Sequence, residues 1–436
     1  MNALANQLND TLRAGNPNVV GMLSYTGRKL FFPKGILSQG AEAKEKAVGK
    51  FNATIGIATE AGKTMYLPSV MAHMRGLDPV EALTYAPSYG IPELRKVWLE
   101  EIFRKNPSLS GKKISVPVVT NGITHGISIV ADMFVEPDDV IIFPDKMWGN
   151  NNLIMTVRNH ARICNFPMFT KSGGFNVEGF QQKIRLEGEG RSKLIVFLNF
   201  PNNPTGYTIT KEEADRILEA LYAVADQGTN IVAVTDDAYF GLFYGDSIRE
   251  SLFARLADLH PKVLGIKLDG ATKEMFVWGL RVGFMTFGTV VEGEADLFYS
   301  ALASKAAGNI RGTISNACNM SQSIVLKTLQ SKSFLEEQAE KQAILAKRAE
   351  KVRAVLADSK YKQAWDVYPF NSGYFMCLKL KTVDAELLRV HLLDEYGVGL
   401  IAVDATDLRI AFSCMEEDNI QALFDTILAG ITDLED

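Results

Sequence analysis

The most informative stretch of this chain is GATKEMFVWGLRVGF, residues 270–284. Lys273 lies among small residues. Arg281 follows eight positions later and directly precedes a glycine-containing apolar run. A lysine with small, uncharged neighbours loses hydrating water, and its pKa falls, so its amine becomes a usable nucleophile. An arginine at the start of a strand can hold a phosphate through a bidentate fork. The stretch favours an amine nucleophile beside a phosphate clamp, although a surface lysine in a loop is the commoner case.

Length and composition set the class of protein. The chain has 436 residues, of which 47% are hydrophobic and 22% are charged, and its net charge is -5. These values predict a soluble globular protein with two or three lobes. Lysine and arginine are spread along the chain without a basic block, so we expect no nucleic-acid partner. No apolar run approaches the roughly 20 residues of a membrane span, so we expect no membrane partner.

The expected compartment is the cytoplasm. Residues 1–8 have neither the basic region nor the long apolar core of a secretory leader. The cysteines are scattered without a CxxC pair, which indicates free thiols in a reducing compartment. They are Cys164, Cys318, Cys377 and Cys414. The five histidines show no metal-ligand spacing, so no metal is expected.

From about Leu67 to Ser323 the pattern alternates between strands and helices. Short, fully apolar runs of this kind are typical of strands buried on both faces of a mostly parallel sheet. The runs are 116–120, 140–143, 194–198, 231–234 and 263–266. Polar or glycine-rich residues follow nearly every run, where open α/β sheets place their ligands. The predicted fold class is therefore α/β.

The remaining pattern predicts how the chain is divided. Thr210 and Glu213 form a capping box before an amphipathic helix. After Ser323, a charged helix is expected from Ser333 to about Ala357, leading into a smaller lobe with strands at 373–378 and 408–413. We therefore expect residues 66–323 to form a large domain and 324–436 a small one. Residues 1–65 are expected to belong to the small domain.

Two segments at strand ends offer groups for a phosphorylated ring. Residues 120–126 follow a strand and should open a helix, where backbone amides can cradle a phosphate; an ordinary strand-to-helix turn is the alternative. In residues 199–206, two prolines and a glycine fix the backbone, so the amide of Asn203 can be aimed at a ring oxygen. A purely rigid turn is the alternative there.

Two further segments offer a carboxylate and an aromatic face. Asp236 and Tyr239 end another strand, and a carboxylate below a ring nitrogen keeps that nitrogen protonated; a helix N-cap is the alternative. Trp148 follows the run 140–143 and can stack on a ring, or can be a core tryptophan. With residues 270–284, these groups match what pyridoxal 5'-phosphate (PLP) needs from a protein.

In their order, these elements resemble the fold-type I, class I PLP-dependent aminotransferases, close to the aspartate and aromatic aminotransferases. The resemblance runs from about Ala53 to Phe412. It implies a large PLP-binding domain with a mostly parallel sheet flanked by helices, and a smaller α/β domain. It assigns Lys273 as the catalytic residue, both Schiff-base lysine and general base. The implied cofactor-binding residues are Gly122, Ile123, Thr124, Trp148, Asn203, Asp236, Tyr239, Lys273, Arg281 and Tyr85, and Asn150 matches the element that contains Trp148.

The resemblance also implies a substrate and an assembly. Arg409 corresponds to the arginine that binds the substrate α-carboxylate, and Asn203 and Trp148 also face substrate. Arg311 corresponds to an arginine that reaches across a dimer interface to a side-chain carboxylate, and Tyr85 to a tyrosine that crosses to the cofactor phosphate. The implied protein is a homodimer with composite sites. It moves an amino group between a dicarboxylic or aromatic L-amino acid and a 2-oxo acid such as 2-oxoglutarate, by a ping-pong mechanism.

Two departures and two rival functions stay open. Gly270 stands where the family usually has a serine or threonine that bonds the phosphate, so Thr272 or another donor must compensate. Asn151 stands where dicarboxylate enzymes usually carry a histidine that supports the ring aspartate. A PLP-dependent lyase or decarboxylase would use the same ring-binding residues. A non-catalytic PLP-fold regulator is disfavoured, because the chain has no added basic helix-turn-helix segment.

Overall fold

The computed structural model describes residues 2–15, 20, 22–31, 36–47 and 50–435. The other positions of the predicted 1–65 segment lie outside the described residues. Among the described residues, the first helices with defined bounds are α1 (Ala3–Gly15), α2 (Tyr25–Lys29) and α3 (Ile36–Lys46). The ring of Tyr25 in α2 meets that of His160 edge-on at 4.9 Å, next to the large sheet. Ala43 in α3 packs on Leu393 of the C-terminal lobe. The N-terminal residues therefore contact both lobes, and their assignment to the small domain stays a prediction.

The central element is a seven-stranded, mostly parallel sheet, as predicted. A short hairpin of β1 (Thr59–Glu60) and β2 (Lys63–Thr64) precedes it. The strands of the seven-stranded sheet are β3 (Val118–Thr120), β4 (Val140–Pro144), β5 (Arg162–Phe166), β6 (Lys193–Asn199), β7 (Asn230–Asp236), β8 (Val263–Gly270) and β9 (Gly283–Gly288). The order is β3-β9-β8-β7-β6-β4-β5, and β9 runs antiparallel to both of its neighbours.

Helices cover both faces of this sheet. They are α4 (Pro68–Met74), α5 (Pro79–Leu83), α6 (Pro92–Lys105), α7 (Ile123–Phe134), α8 (Val177–Gly188), α9 (Lys211–Asp226), α10 (Phe253–Leu256), α11 (Ala271–Glu274), α12 (Ala295–Thr313) and α13 (Asn319–Leu329), with a π-helix at Asn152–Arg158. Alternate residues of β4 enter two different cores: Ile141 joins one and Ile142 the other. The predicted capping box of α9 is present, since Thr210 and Glu213 bond each other's backbone. The predicted both-face burial of the sheet is confirmed.

The C-terminal lobe is a four-stranded antiparallel sheet with helices. Its elements are α14 (Phe334–Leu356), β10 (Trp365–Val367), β11 (Phe375–Leu380), α15 (Ala385–Tyr396), β12 (Ile401–Ala402), β13 (Asp407–Ala411) and α16 (Ile420–Glu435). The strand order is β10-β11-β13-β12. The predicted strand at 408–413 stops at Ala411 because Phe412–Cys414 form a 3-10 turn. Further 3-10 turns span Pro107–Leu109, Ser359–Tyr361 and Glu417–Asn419.

The predicted division at Ser323 falls inside α13. Ile324 and Val325, which follow this division, pack in the core of the large sheet. In α14, Phe334 packs in that same core, whereas Ala349 packs in the core of the small sheet. We propose that the two lobes are domains that meet along α14.

The described residues contain neither a candidate membrane span nor a candidate metal site. None of their helices is long and apolar enough to cross a membrane. No three of their histidine, cysteine or acidic side chains are grouped so that they could hold a metal ion.

Candidate active site

A cavity of about 310 Å³ lies where the carboxyl ends of the central strands meet the start of α7. Asn199 ends β6 and Asp236 ends β7, and the two are paired in register. The cavity also receives side chains from the small lobe. Its lining is Ile55, Gly56, Ile57, Ile123, Thr124, Trp148, Asn199, Asn203, Asp236, Ala238, Tyr239, Thr272, Lys273, Trp278, Arg281, Phe375 and Arg409. Most of the residues singled out from the sequence therefore share one cavity.

Lys273 lies on α11, the single helical turn that follows β8. Its Nζ is 4.8 Å from the ring centroid of Tyr239, and its backbone carbonyl accepts a hydrogen bond from Tyr374 at 3.2 Å. Its pKa falls from 10.5 to about 8, because burial lowers the pKa, Asp236 partly opposes the fall and Arg281 adds to it. A buried amine with a lowered pKa has the character of a nucleophile and a general base.

Asp236 faces Lys273 across the cavity and is 7% exposed. Its Oδ1 accepts the N–H of Ala238 at 3.2 Å, and its own carbonyl accepts from Asn199 Nδ2 at 2.8 Å. The pKa of this carboxyl rises to about 6, because burial raises the pKa, Lys273 opposes the rise and Asp237 adds to it. The side chain is thus fixed as a buried carboxylate that can pair with a protonated ring nitrogen.

Arg281 and the start of α7 form a cradle for an anion. Gly122 caps this helix with φ 76°, and no side chain accepts a hydrogen bond at that cap. A Cβ at Gly122 would lie 2.4 Å from Arg281 Nη2, so only glycine leaves room for the guanidinium. Arg281 itself has φ 55°, a conformation that costs a non-glycine residue energy and is common at functional sites. Ile123 and Thr124, the first residues of α7, line the cavity beside Arg281.

The structure gives a physical reason for the Gly270 departure. A Cβ at Gly270 would lie 2.7 Å from the carbonyl oxygen of Val282 and 2.9 Å from Gly283 Cα. No serine or threonine fits where β8 and β9 approach so closely. Thr272 lies on the cavity wall, where its hydroxyl can serve an anion.

Arg409 is a buried cation with an unused donor. It lies on β13, is 1% exposed and packs 4.1 Å above the Phe375 ring. Its Nη1 donates to Asn203 Oδ1 at 3.1 Å and its Nη2 to the carbonyl of Thr54 at 2.8 Å. Its Nε has no partner among the described residues. Because Arg409 occupies the amide oxygen of Asn203, the Asn203 Nδ2 is left as a donor toward the cavity.

The region around Trp148 agrees in part with expectation. Trp148 lines the cavity, but Asn150 and Asn151 do not. Asn151 is buried, and its Oδ1 is unpaired within the described part of the chain. It therefore stands beside the cavity wall rather than in it.

Tyr85 and Arg311 do not line this cavity. Tyr85 is 91% exposed. Arg311 is exposed on α12, and its Nη1 donates to Ser315 Oγ at 2.7 Å. Both side chains are exposed, and their predicted role across a dimer interface stays a prediction.

Several lining residues were not predicted from the sequence. Ile55 and Ile57 come from a segment with no recognisable pattern, and Phe375 comes from the small lobe. Trp278 lies inside the stretch 270–284, and its indole N–H is buried without a partner among the described residues. A tryptophan midway between Lys273 and Arg281 was the one signal that could have identified it.

The comparisons with known proteins identify the family. The fold is that of the fold-type I aminotransferases, as predicted. A family model described as aminotransferase class I and II matches residues 50–427, and this chain belongs to that family.

Curated relatives are distant. The mitochondrial aspartate aminotransferase of Saccharomyces cerevisiae is 25% identical over 269 residues, which are 56% of this chain and 58% of that protein. The aspartate/prephenate aminotransferase of Cereibacter sphaeroides is 27% identical over 354 residues, 75% of this chain and 79% of that protein. The chain thus spans a little more than half the length of the yeast relative.

Solved structures agree on the fold. An aminotransferase from Anaerococcus prevotii superposes with a TM-score of 0.81 at 22% identity, over 92% of this chain and 96% of that one. The cytoplasmic aspartate aminotransferase of Saccharomyces cerevisiae gives 0.73 at 20% identity, over 93% and 97%. At these identities the likeness concerns the fold.

Members of this family use PLP, and the cavity fits that cofactor. It presents an amine with a lowered pKa, a buried carboxylate and an arginine beside a glycine-opened helix start. These groups suit an aldehyde, a ring nitrogen and a phosphate, respectively. The unpaired Nε of Arg409 remains for a carboxylate.

Proposed function

We propose that this protein is a PLP-dependent aminotransferase. One observation carries the proposal: Lys273, Asp236, Arg281 and Arg409 converge on a single cavity. Amino-group transfer on PLP uses groups of these kinds: a nucleophilic amine, an acidic partner for the ring, a phosphate clamp and a group that binds the substrate carboxylate.

Each side chain then has a defined task. When bound, PLP supplies an aldehyde that condenses with amines and a ring that delocalises the electron pair left at Cα. Lys273 Nζ would hold the cofactor and would accept the Cα proton of the substrate. Asp236 would pair with the ring nitrogen and keep it protonated, and Asn203 Nδ2 and Tyr239 would be the partners of the ring oxygen. Arg281 and the amides of Ile123 and Thr124 would hold the phosphate.

We further propose that the substrates are dicarboxylic or aromatic L-amino acids, with 2-oxoglutarate as acceptor. Arg409 binds the α-carboxylate through a bidentate fork, which orients the Cα–H bond. Ile55, Ile57 and Phe375 form an apolar wall that suits an aromatic side chain. Arg311 of a second copy would serve a side-chain carboxylate.

The test is a panel of amino donors with 2-oxoglutarate. Aspartate and tyrosine are incubated in turn with the PLP-loaded protein and 2-oxoglutarate, and we expect glutamate and the 2-oxo acid of the donor to form in equal amounts. Glutamate is tested as a donor with oxaloacetate instead, because with 2-oxoglutarate it would only regenerate itself. Release of ammonia or carbon dioxide instead would establish the alternative, a lyase or decarboxylase on the same scaffold. Arg409→Lys keeps the charge but loses the fork, so it should raise KM for every donor that reacts.

The proposed homodimer with composite sites is tested by mixing two variants. A Lys273→Ala chain lacks the amine, and an Arg311→Ala chain lacks the cross-interface arginine. After subunit exchange, one site of the mixed dimer has both groups, so activity with aspartate should exceed that of either variant alone. Activity equal to the average of the two variants would contradict composite sites.

We also propose a cytoplasmic location. The four cysteines are free thiols in the structure, which suits a reducing compartment.

A further inference from the structure

Lys146 links the two lobes at the edge of the candidate site. It follows β4 in the loop that carries Trp148, and its side chain crosses to the small lobe. There Nζ lies 2.5 Å from Asp407 Oδ2, 3.5 Å from Asp404 Oδ2 and 3.8 Å from Asp145 Oδ2. The side chain of Lys146 is 12% exposed and that of Asp407 is 1% exposed, so this pair is largely shielded from solvent.

Asp407 is the first residue of β13, the strand that carries Arg409. Residues two apart on a strand point to the same face, so both side chains face the large lobe. The second oxygen of Asp407 accepts the hydroxyl of Tyr368 at 3.0 Å. Asp407 is therefore held from two sides, and it fixes the start of the strand on which Arg409 is mounted.

A second link runs parallel to the first. Arg409 donates to Asn203, and the neighbouring Asn202 donates its Nδ2 to the backbone carbonyl of Lys146 at 3.1 Å. The adjacent asparagines thus connect the loop after β6 to Arg409 and to the backbone of Lys146. The contacts form a closed ring of residues: Lys146, Asp407, Arg409, Asn203 and Asn202.

Resting on the proposed function, we propose that Lys146 is a positioning residue for the carboxylate-binding arginine. Through Asp407 it sets the place of Arg409 relative to Trp148 and Asn203. Without the ammonium, Asp407 is a buried carboxylate that keeps only hydroxyl partners, and such a group draws in water or a proton. The start of β13 would then shift, and Arg409 would meet a substrate carboxylate in the wrong place.

The ammonium is suited to this task. Burial alone would lower the pKa of Lys146, but the negative charge of Asp407, 2.5 Å away, outweighs it and raises the pKa above its ordinary value. Lys146 therefore keeps its charge while Asp407 is ionised.

The test compares Lys146→Met, which keeps the length but removes the charge, with Lys146→Arg, which keeps the charge. The control is Lys360→Met, which breaks the exposed pair with Asp425 on the same lobe. In the PLP-loaded protein, succinate serves as an unreactive carboxylate probe, measured by calorimetry. We expect Lys146→Met to weaken succinate binding and to raise KM for donor and acceptor by about tenfold, with kcat much less changed. Lys146→Arg should recover part of the loss, and Lys360→Met should behave as wild type.

The outcomes separate cleanly. The inference would be overturned if Lys146→Met left both the succinate affinity and KM unchanged. It would also be overturned if kcat or the PLP affinity fell while KM stayed the same. If Lys146→Met does not fold, Asp407→Asn removes the same ion pair and is judged by the same criteria. A wild type that binds PLP but transaminates no donor would overturn the proposed function instead, while succinate affinity would still decide the role of Lys146.

Discussion

Lys273 and Asp236 have pKa values that burial moves toward each other. That of the lysine falls to about 8 and that of the aspartate rises to about 6. Burial penalises the charged form of both, yet each stabilises the charge of the other, so both remain ionised near neutrality. Little free energy is then needed to remove the proton from the amine, which is what a base in this position must achieve.

The lowered pKa of Lys273 predicts how PLP uptake depends on pH. Only the unprotonated amine attacks an aldehyde, so the rate of uptake by the cofactor-free protein should rise with pH and be half-maximal at about 8. Stopped-flow absorbance measures this rate. Because Asp236 raises the pKa of Lys273, Asp236→Asn should move the half-maximal pH lower. A wild-type midpoint near 10.5, the ordinary lysine value, would contradict the account.

The sequence identifies residues whose chemistry is specific and whose place is a strand end. Asn203, Asp236 and Lys273 are of this kind, and all three line one cavity. It does not identify Ile55 or Phe375, because an apolar residue on a cavity wall has the same pattern as one in a core. It also gives no reason for Gly270, since the close approach of β8 to β9 is a property of the folded sheet.

The junction of β3 and α7 depends on a glycine that makes room for another element. Gly122 and Gly111 have nearly the same backbone, with φ 76° and 79°. Their surroundings differ: a Cβ at Gly122 would strike Arg281, whereas a Cβ at Gly111 would have no atom within 4 Å. Alanine at Gly111 would therefore cause backbone strain alone, whereas alanine at Gly122 would cause the same strain and also displace Arg281.

We expect Gly122→Ala to weaken PLP binding by about tenfold or more, because the guanidinium must leave the cradle. Gly111→Ala bears only the strain of a left-handed alanine, about 1 kcal/mol of stability, and should bind PLP as wild type does. Equilibrium titration of the cofactor-free variants measures the difference. Equal PLP affinity in the two variants would show that the cradle does not hold the phosphate.

Strands were predicted best where they are uniformly apolar. The apolar run 263–266 predicts only the first half of β8, which continues to Gly270. The prediction ends early because Lys267 and Asp269 interrupt the apolar pattern, although both are buried in the structure. β5 was missed, because at the edge of the sheet its exposed and buried residues mix. Hydrophobic pattern therefore finds central strands and overlooks edges and buried charges.

A buried ionic cluster lies in the large lobe, next in sequence to the site. Lys267 contacts Asp237 and Asp269, and all three side chains are at most 3% exposed. Ser251 donates to Asp237 at 2.6 Å, and the indole of Trp98 donates to Asp269 at 3.1 Å. Asp237 is the neighbour of Asp236, so the cluster supports the end of β7 where the site begins.

Removing the cation of this cluster should destabilise the whole protein. Lys267→Met leaves two buried carboxylates without their cation, which costs about 3–5 kcal/mol in the free energy of unfolding. Lys360→Met, which breaks an exposed pair, should cost at most about 1 kcal/mol. Urea denaturation of the PLP-loaded variants measures both. A loss below 1 kcal/mol in Lys267→Met would show that the cluster is not needed for stability.

Covalent attachment of PLP to Lys273 is measured by mass spectrometry. The PLP-loaded protein is reduced with borohydride, digested and analysed by mass spectrometry. The account predicts a pyridoxyl group on the peptide that contains Lys273, and no pyridoxyl peptide in Lys273→Ala. A pyridoxyl group on a different lysine of the wild type, or no modified peptide at all, would contradict it.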